Sequence, residues 1–390
     1  MAILSVETGG EIAPQVGYLS LLGINTKFAS ASENQGLADT LIGRFYLQSL
    51  AREIVGEQRV SICLRWLSPQ KQNVEIRLND TDGHCTACYG NLIVCGSVWA
   101  CPVCAARITE QRRHELGEAL AKWRHKRKQV AMVTYTLSHG KQTLLADVLK
   151  TLKGARRRFK AGRRWQKLQE SYHIVGTIGA TEVTWGENGW HPHVHELVFF
   201  DTKYSAEWLM MLEFSLQQLW QAALAKEGGA AIRDIGLKLV LSNAKIGDYV
   251  AKFGRQPVKE NTWDLEHEMA KNPTKKGYAD DHATPLELLI GYGNGSELAG
   301  QLWREYATAF HGKQQLVWSV GLKKLLGVVV KEDSEIAAAE DLPYHVLASI
   351  PANVWYSLIK RDRRNGLRGR LLKVALEQGY EGVQKFIAGE

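Results

Sequence analysis

Residues 181–200 read TEVTWGENGWHPHVHELVFF, two apolar strands around Glu187-Asn188-Gly189. Asn-Gly between apolar alternating runs is the strongest short-range hairpin signal. A turn centred there also dictates register. Facing residue numbers then sum to a nearly constant value, so Glu182 falls about opposite His193. Side chains alternate faces along a strand, which puts His191, His193 and His195 on one face. Antiparallel pairing brings Glu182 and Thr184 to that same face, within cross-strand reach. One carboxylate and two imidazoles thus converge in front of the sheet with the rest of the coordination sphere open, the pattern of a catalytic divalent-metal site. Half-buried polar histidines are the ordinary alternative, but four such groups on one face are costly to bury without partners.

The chain has 390 residues, room for about two or three domains. It holds no apolar run of roughly 18 residues, the length a bilayer span needs. Its first residues, MAILSVETGGEIAPQ, lack the charged start and apolar core of a secretory signal, so a cytoplasmic protein with no membrane partner is expected. Charge is unevenly spread. Residues 107–170 hold 18 Lys/Arg against 5 Asp/Glu, a local +13 in a chain of net +8, which leaves −5 for the remainder. Such asymmetry points to a polyanionic partner, nucleic acid above all.

Six cysteines in a cytosolic chain are poor disulfide candidates. Cys85-x2-Cys88, twelve residues, then Cys101-x2-Cys104 has zinc-ribbon spacing, so these four are the expected structural Zn²⁺ ligands. Cys95 is an alternative ligand, and His84 is another candidate. Cys63 stands apart and reads as a small core residue.

Taken in order, residues 1–35 show no sustained periodicity, 37–60 have helical spacing, and 60–66 read as a short strand. A basic helix follows the cysteines from 105 to about 124. The run 130–137, VAMVTYTL, is a strand, and 144–169 is helical. That helix carries Arg156, Arg157, Arg158, Arg163 and Arg164 with Phe159 and Trp165, an alternation suited to tracking a nucleic-acid backbone. After the hairpin come an amphipathic helix over 205–226 opened by Ser205, a strand at 237–242 and a helix at 246–254. Strands separated by helices on one face of an antiparallel sheet make an α+β domain of ferredoxin-like type. The expected division is an N-terminal region (1–80), a zinc module with its basic helix (81–125), a catalytic domain (126–256) and a helical C-terminal region (257–390). In the last region the aromatic stripe Trp303, Tyr306, Phe310 and Trp318 reads as core, and no internal repeat is evident.

The candidate nucleophile is Tyr249, in the helix that follows the 237–242 strand. Lys252, three residues on, shares its side of that helix and can lower the phenol pKa or bind a phosphate oxygen. A core aromatic is the commoner fate of any one tyrosine.

Three segments together, Cys95-Gly-Ser-Val-Trp-Ala-Cys101-Pro-Val-Cys104, Gly189-Trp-His-Pro-His-Val-His195 and Asp248-Tyr249-Val-Ala-Lys252, resemble in motif and order the rolling-circle replication initiators of small bacterial plasmids. These belong to the HUH endonuclease superfamily, named for its His-hydrophobic-His pair. The resemblance covers roughly residues 85–255. It implies the family's ferredoxin/RRM-like sheet, with His193 and His195 as paired ligands of Mg²⁺ or Mn²⁺, Glu182 as the third and His191 as a neighbour. It implies Tyr249 as nucleophile and Lys252 as its support. The activity it implies is nicking of plasmid origin DNA, single-stranded at the nick site, to give a 5′-phosphotyrosine and a 3′-OH primer, with later rejoining. The sequence contains no evident helicase P-loop, and the implied partners are a host helicase and polymerase. One position departs from the pattern. Some initiators carry a Glu one turn before the tyrosine to activate water at termination, where this chain has Lys245 or Ile246. Asp248, or Tyr249 of a second protomer in a homodimer, would have to substitute.

Two rivals come from other classes. A histidine-triad nucleotide hydrolase is suggested by the alternating histidines, but Pro192 and Glu196 fit its hydrophobic positions poorly. A zinc-stabilised DNA-binding regulator leaves Glu182 and the histidines without a role. HUH transposases and relaxases share the initiators' chemistry and differ from them here only in motif order.

Overall fold

The computed structural model describes residues 40–56, 58–81, 84–230, 236–241, 282–329, 331–338 and 343–389. Tyr249 and Lys252 lie outside them, as does residues 1–35. The described chain is mixed α/β. Helix α1 (Leu41–Val55) leads through a short 3-10 turn (Arg59–Ser61) to strands β1 (Asn73–Thr81) and β2 (His84–Gly90), then α2 (Pro102–His125) and β3 (Gln129–Tyr135). Next come α3 (Leu145–Ala161), α4 (Arg163–Ser171), β4 (Ile174–Gly186), β5 (Gly189–Phe200), α5 (Ala206–Lys226) and β6 (Leu237–Leu241). The rest comprises β7 (His282–Ala283), α6 (Pro285–Gly293), α7 (Glu297–Ala309), β8 (Leu316–Trp318), α8 (Leu322–Leu326), α9 (Asp333–Ala338), β9 (His345–Pro351), α10 (Ala352–Arg361) and α11 (Leu367–Ala388).

A six-stranded sheet runs in the order β6-β3-β5-β4-β7, with β8 along the first half of β4, and every pairing is antiparallel. The two residues Glu187-Asn188 close the central hairpin, and Gly186 faces Gly189. Gly189 sits at φ +84°, and a Cβ there would lie 2.6 Å from the Lys141 carbonyl oxygen, so only glycine fits.

The period of two sorts the strand residues cleanly. Ala131, Val133, Tyr135, Val194, Val198 and Phe200 face α3 and α5, meeting Leu152, Phe159, Leu216 and Trp220. Val130, Met132, Ile178, Ala180, Leu197 and Phe199 face the C-terminal half of α2 and short α8, meeting Leu116, Leu120, Trp123 and Leu322. Helices therefore cover both faces, not one as expected from the sequence. The reason is α2, read as part of a separate zinc module. Its Trp123 buries edge-on against Phe199 at 5.7 Å and donates its indole N–H to the Gln129 carbonyl at 3.1 Å.

A second sheet, β2-β1-β9, is also antiparallel. Residues 60–66, expected as a strand, instead turn through the 3-10 segment. Strand β9 returns from the far end of the chain to pair with β1, so the C-terminal region is not all helical. It packs with α1, α10 and α11 in a core that includes Val74, Ile76, Ala348, Ile350 and Trp355. Arg368 and Asp362 are fully buried there and ion-paired, and Arg368 Nη1 also donates to the carbonyls of Cys63 (3.3 Å) and Leu64 (3.0 Å). No helix among the described residues is long and apolar enough to cross a membrane.

Behind the central hairpin lies a buried charge cluster. Glu196 is fully buried on β5 and accepts from Arg156 Nε (2.9 Å) and Nη2 (2.6 Å) and from Lys160, both on α3. Lys160 also donates to Thr177 Oγ1 at 2.8 Å. Burial alone would raise the Glu196 carboxyl, but Arg156 and then Lys160 outweigh it and hold it at about 2. Removing the carboxylate strands two cations, which typically costs about 3–5 kcal/mol. Glu196→Gln should therefore lower stability by roughly that amount, read by denaturant unfolding. In the unmutated chain the Glu196 contribution is fully present above the ordinary carboxylate value of 4.5 and drains as pH falls toward about 2. The difference between the two proteins should shrink over that window.

Candidate metal centres

Strands β4 and β5 pair over twelve positions, with Glu182 opposite His193, Thr184 opposite His191 and Ala180 opposite His195. The pleat then turns Glu182, His193 and His195 to the face opposite Glu196. His193 Nε2 lies 3.1 Å and His195 Nε2 3.0 Å from the same oxygen, Glu182 Oε2. Ligands bound to a divalent ion at about 2.1 Å and at right angles to one another are separated by about 3.0 Å. The three atoms thus have the spacing of adjacent coordination positions, and they form one of two groups among the described residues with metal-holding geometry. Glu182 and His195 are buried and His193 partly so.

Further partners set the ring orientations. His195 Nδ1 is 3.1 Å from Thr134 Oγ1 on β3. A proton on Nδ1, donated to that hydroxyl, leaves the Nε2 lone pair for an ion. His139, in the loop after β3, has Nδ1 3.1 Å from the Asn188 carbonyl, and a carbonyl can only accept. Its Nε2 must then accept from His191 Nδ1 at 2.8 Å. Burial first, then neighbouring His193, His139 and His282, brings the His191 pKa down to about 4, so the ring is neutral at pH 7.

The second group is Cys63, Cys95, Cys101 and Cys104, whose sulfurs lie within 4.8 Å of one another. Separations of 3.5 Å (Cys63–Cys104), 3.6 Å (Cys95–Cys104) and 3.8 Å (Cys63–Cys101) match the edge of about 3.8 Å for a tetrahedron with Zn–S bonds of about 2.3 Å. Three chain segments build it. Residues around Leu64 and Leu92 pair back to back, with Leu64 N–H donating to the Ile93 carbonyl (2.7 Å) and Ile93 N–H to Trp66 (2.8 Å), which brings Cys63 beside Cys95. Cys101 caps the N-terminus of α2 and Cys104 lies in its first turn. The sulfurs also accept from Gln48 Nε2 (3.1 Å, to Cys101) and from the backbone N–H of Cys95 (3.4 Å, to Cys63) and Ser97 (3.4 Å, to Cys95). Burial works against charge on Cys101, yet hydrogen bonds from Cys104, Cys63 and Cys95 outweigh it and hold that thiol well below its usual range. Cys63 and Cys95 are raised, each chiefly through its bond to Cys101.

This set differs from the one expected on spacing. Cys85 and Cys88 lie on β2, where residues three apart point to opposite faces, and Cys85 is exposed. Cys63, read as a core residue, takes part instead, and Cys95 joins as the alternative ligand. The motif missed this because the partner of Cys95 lies 32 residues earlier in an unpatterned turn.

The basic residues also divide. Arg156 is turned inward onto Glu196, and Arg158 pairs with Glu227 at 2.7 Å. Arg157, Arg163 and Arg164 are exposed on α3 and α4, behind the sheet relative to Glu182.

Comparison with known proteins bears on these centres. The family described as replication protein matches residues 91–335, a span that contains Cys95, Cys101, Cys104, Glu182, His193 and His195. "Protein rep" of Streptomyces lividans is 28% identical over 319 residues, covering 64% of this chain and 66% of that protein. The chain thus spans just under two thirds of that relative's length. A "Neomycin resistance protein" of Streptomyces cyanogenus is 30% identical over 132 residues, 27% of this chain and 30% of that protein. No solved structure matches.

The cysteine geometry carries a direct test. Cys63→Ser or Cys95→Ser should lower the content of any thiolate-bound metal and the melting temperature, whereas Cys85→Ser and Cys88→Ser should keep both. Elemental analysis of purified protein, with thermal unfolding alongside, separates the two sets.

Proposed function

The chain belongs to the replication protein family, and from that membership and the geometry of the Glu182 centre we propose that it initiates rolling-circle replication of a plasmid by nicking origin DNA. The observation that carries the reading is the convergence of His193 Nε2 and His195 Nε2 on Glu182 Oε2, on one face of an antiparallel sheet. We read that sheet as the ferredoxin/RRM-like sheet of the HUH endonucleases.

In this reading Glu182, His193 and His195 hold Mg²⁺ or Mn²⁺, which supplies Lewis-acid polarisation of the scissile phosphate when bound. Thr134 holds His195 in the tautomer that presents Nε2. Tyr249 attacks phosphorus in line through its phenol oxygen. The bond from phosphorus to the 3′-oxygen breaks, the phenol proton passes in net to that oxygen, and a 5′-phosphotyrosine and a free 3′-OH result. Lys252 stabilises the phenolate or the phosphate charge. The new ester keeps the energy of the phosphodiester, so rejoining by the reverse attack needs no ATP.

Chain length is compatible with this role. Strand β6 ends at Leu241, which pairs through Ala131 on β3 to Val198 on β5, three residues beyond His195. Two strand spacings and three strand residues amount to roughly 14 Å. The eight residues from Leu241 to Tyr249 can span up to about 27 Å. The 3′-OH would prime a host polymerase, with a host helicase unwinding ahead, in the cytoplasm, and Cys63, Cys95, Cys101 and Cys104 would hold a structural Zn²⁺. Arg157, Arg163 and Arg164 would grip duplex DNA beside the nick rather than the strand at the metal.

Wild-type protein incubated with labelled single-stranded origin DNA and Mn²⁺ should retain label through denaturing electrophoresis. Tyr249→Phe, or chelator, should abolish the adduct while leaving DNA binding measurable. Free nucleotide released equally by Tyr249→Phe would instead indicate a nucleotide hydrolase. Replacing Arg157, Arg163 and Arg164 together by Ala should weaken duplex binding and flatten its salt dependence by up to about three phosphate contacts.

A further inference from the structure

We propose that His191 and His282 form a slot that clamps one nucleobase beside the phosphate held at the Glu182 centre. The proposal rests on the reading that this face receives single-stranded DNA, and adds a subsite to it.

Strand β4 lies between the strands that carry the two rings, with Thr184 opposite His191 on β5 and Gly186 opposite His282 on β7. Thr184, Gly186 and Glu182 are two residues apart in turn, so both imidazoles rise from the metal-bearing face. Their backbones stand about 12 Å apart, two strand spacings across and two residues along, and the rings lean together across β4. The ring centroids are 6.3 Å apart with planes within 17° of parallel. Stacked bases in DNA follow one another at 3.4 Å, so a base with a ring on each side needs about 6.8 Å. The two imidazole centroids stand within half an ångström of that value.

One wall is rigid and the other accessible. His191 is fixed by its Nδ1–H bond to His139 Nε2, and His139 is fixed in turn by the Asn188 carbonyl at the hairpin turn. His282 is exposed. His191 is one same-face step, about 7 Å, from His193, within the reach of a single nucleotide. A base whose own or adjoining phosphate lies at the metal ligands therefore meets the slot without rearrangement. Stacking on aromatic rings is a general means of holding unpaired bases and grades with ring area, so a purine is preferred. None of the groups that handle the phosphate is needed for this contact.

The test uses the full chain, short single-stranded oligonucleotides tiling the replicon that encodes it, and one 2-aminopurine or abasic site moved along each. Binding and fluorescence are read in Tyr249→Phe protein, and covalent adduct in the wild type. A purine analogue at one position next to the attacked phosphate should be quenched, and an abasic site there should weaken binding about tenfold. His282→Ala should remove both effects at that position alone, and His282→Phe should restore them. Equal abasic penalties with and without His282→Ala, or quenching that survives it, would overturn the slot. Adduct formation alongside such insensitivity would leave the nicking reading standing. Position-specific quenching that depends on His282, with no adduct from any oligonucleotide, would uphold the slot and remove the nicking reading.

Discussion

The register between β4 and β5 is the constraint on which the candidate chemistry depends. A slip of one residue would send Glu182 to the far face and leave the histidines without a carboxylate. Two features hold the register. Gly189 takes a left-handed conformation that other residues adopt only with strain, directly against the Lys141 backbone. The loop carrying Lys141 also carries His139, whose ring binds the Asn188 carbonyl and His191. The turn is therefore gripped from outside as well as closed from within, and the grip reaches the first of the three alternating histidines.

The same strand is held from behind by charge. His195 points to Glu182 and the next residue, Glu196, points to Arg156 and Lys160. A hydrophobic trio of equal volume would pack as well at lower desolvation cost. The ion cluster does something such packing would not: with directional bonds it ties one position on α3 to one position on β5. Gly179, directly opposite Glu196, leaves room for the Arg156 guanidinium, which a Cβ at that position would overlap.

Much of the centre was legible because it is local. The hairpin, its turn and the convergence of Glu182 with His193 and His195 follow from the period of two and a turn signal within twenty residues. Helix α2 and the outer bounds of the 144–169 helical region sit close to expectation, but that region, expected as one helix, is broken at Gly162 into α3 and α4. What failed was long-range. Cys-x2-Cys spacing is only a chelating pattern when the backbone turns between the two residues, as at the start of α2, and β2 is straight. Arg156 looked like its basic neighbours, but its place on the inner side of α3 and a carboxylate 40 residues later decide its role. Strands β1 and β9 pair across more than 250 residues, a partnership no local pattern announces. Tyr249 and Lys252 lie outside the described residues, so their roles stand on motif and chain reach alone.

The bond from Arg368 to the carbonyls of Cys63 and Leu64 has a consequence for how the molecule is made. All four thiols of the cysteine centre belong to the first third of the chain, yet the side chain that satisfies the backbone beneath Cys63 comes 305 residues later. During synthesis the thiols emerge from the ribosome together and can meet an ion early. The cradle under them is finished only once α11 has been translated and folded back. A truncated product would carry the cysteines without that last support.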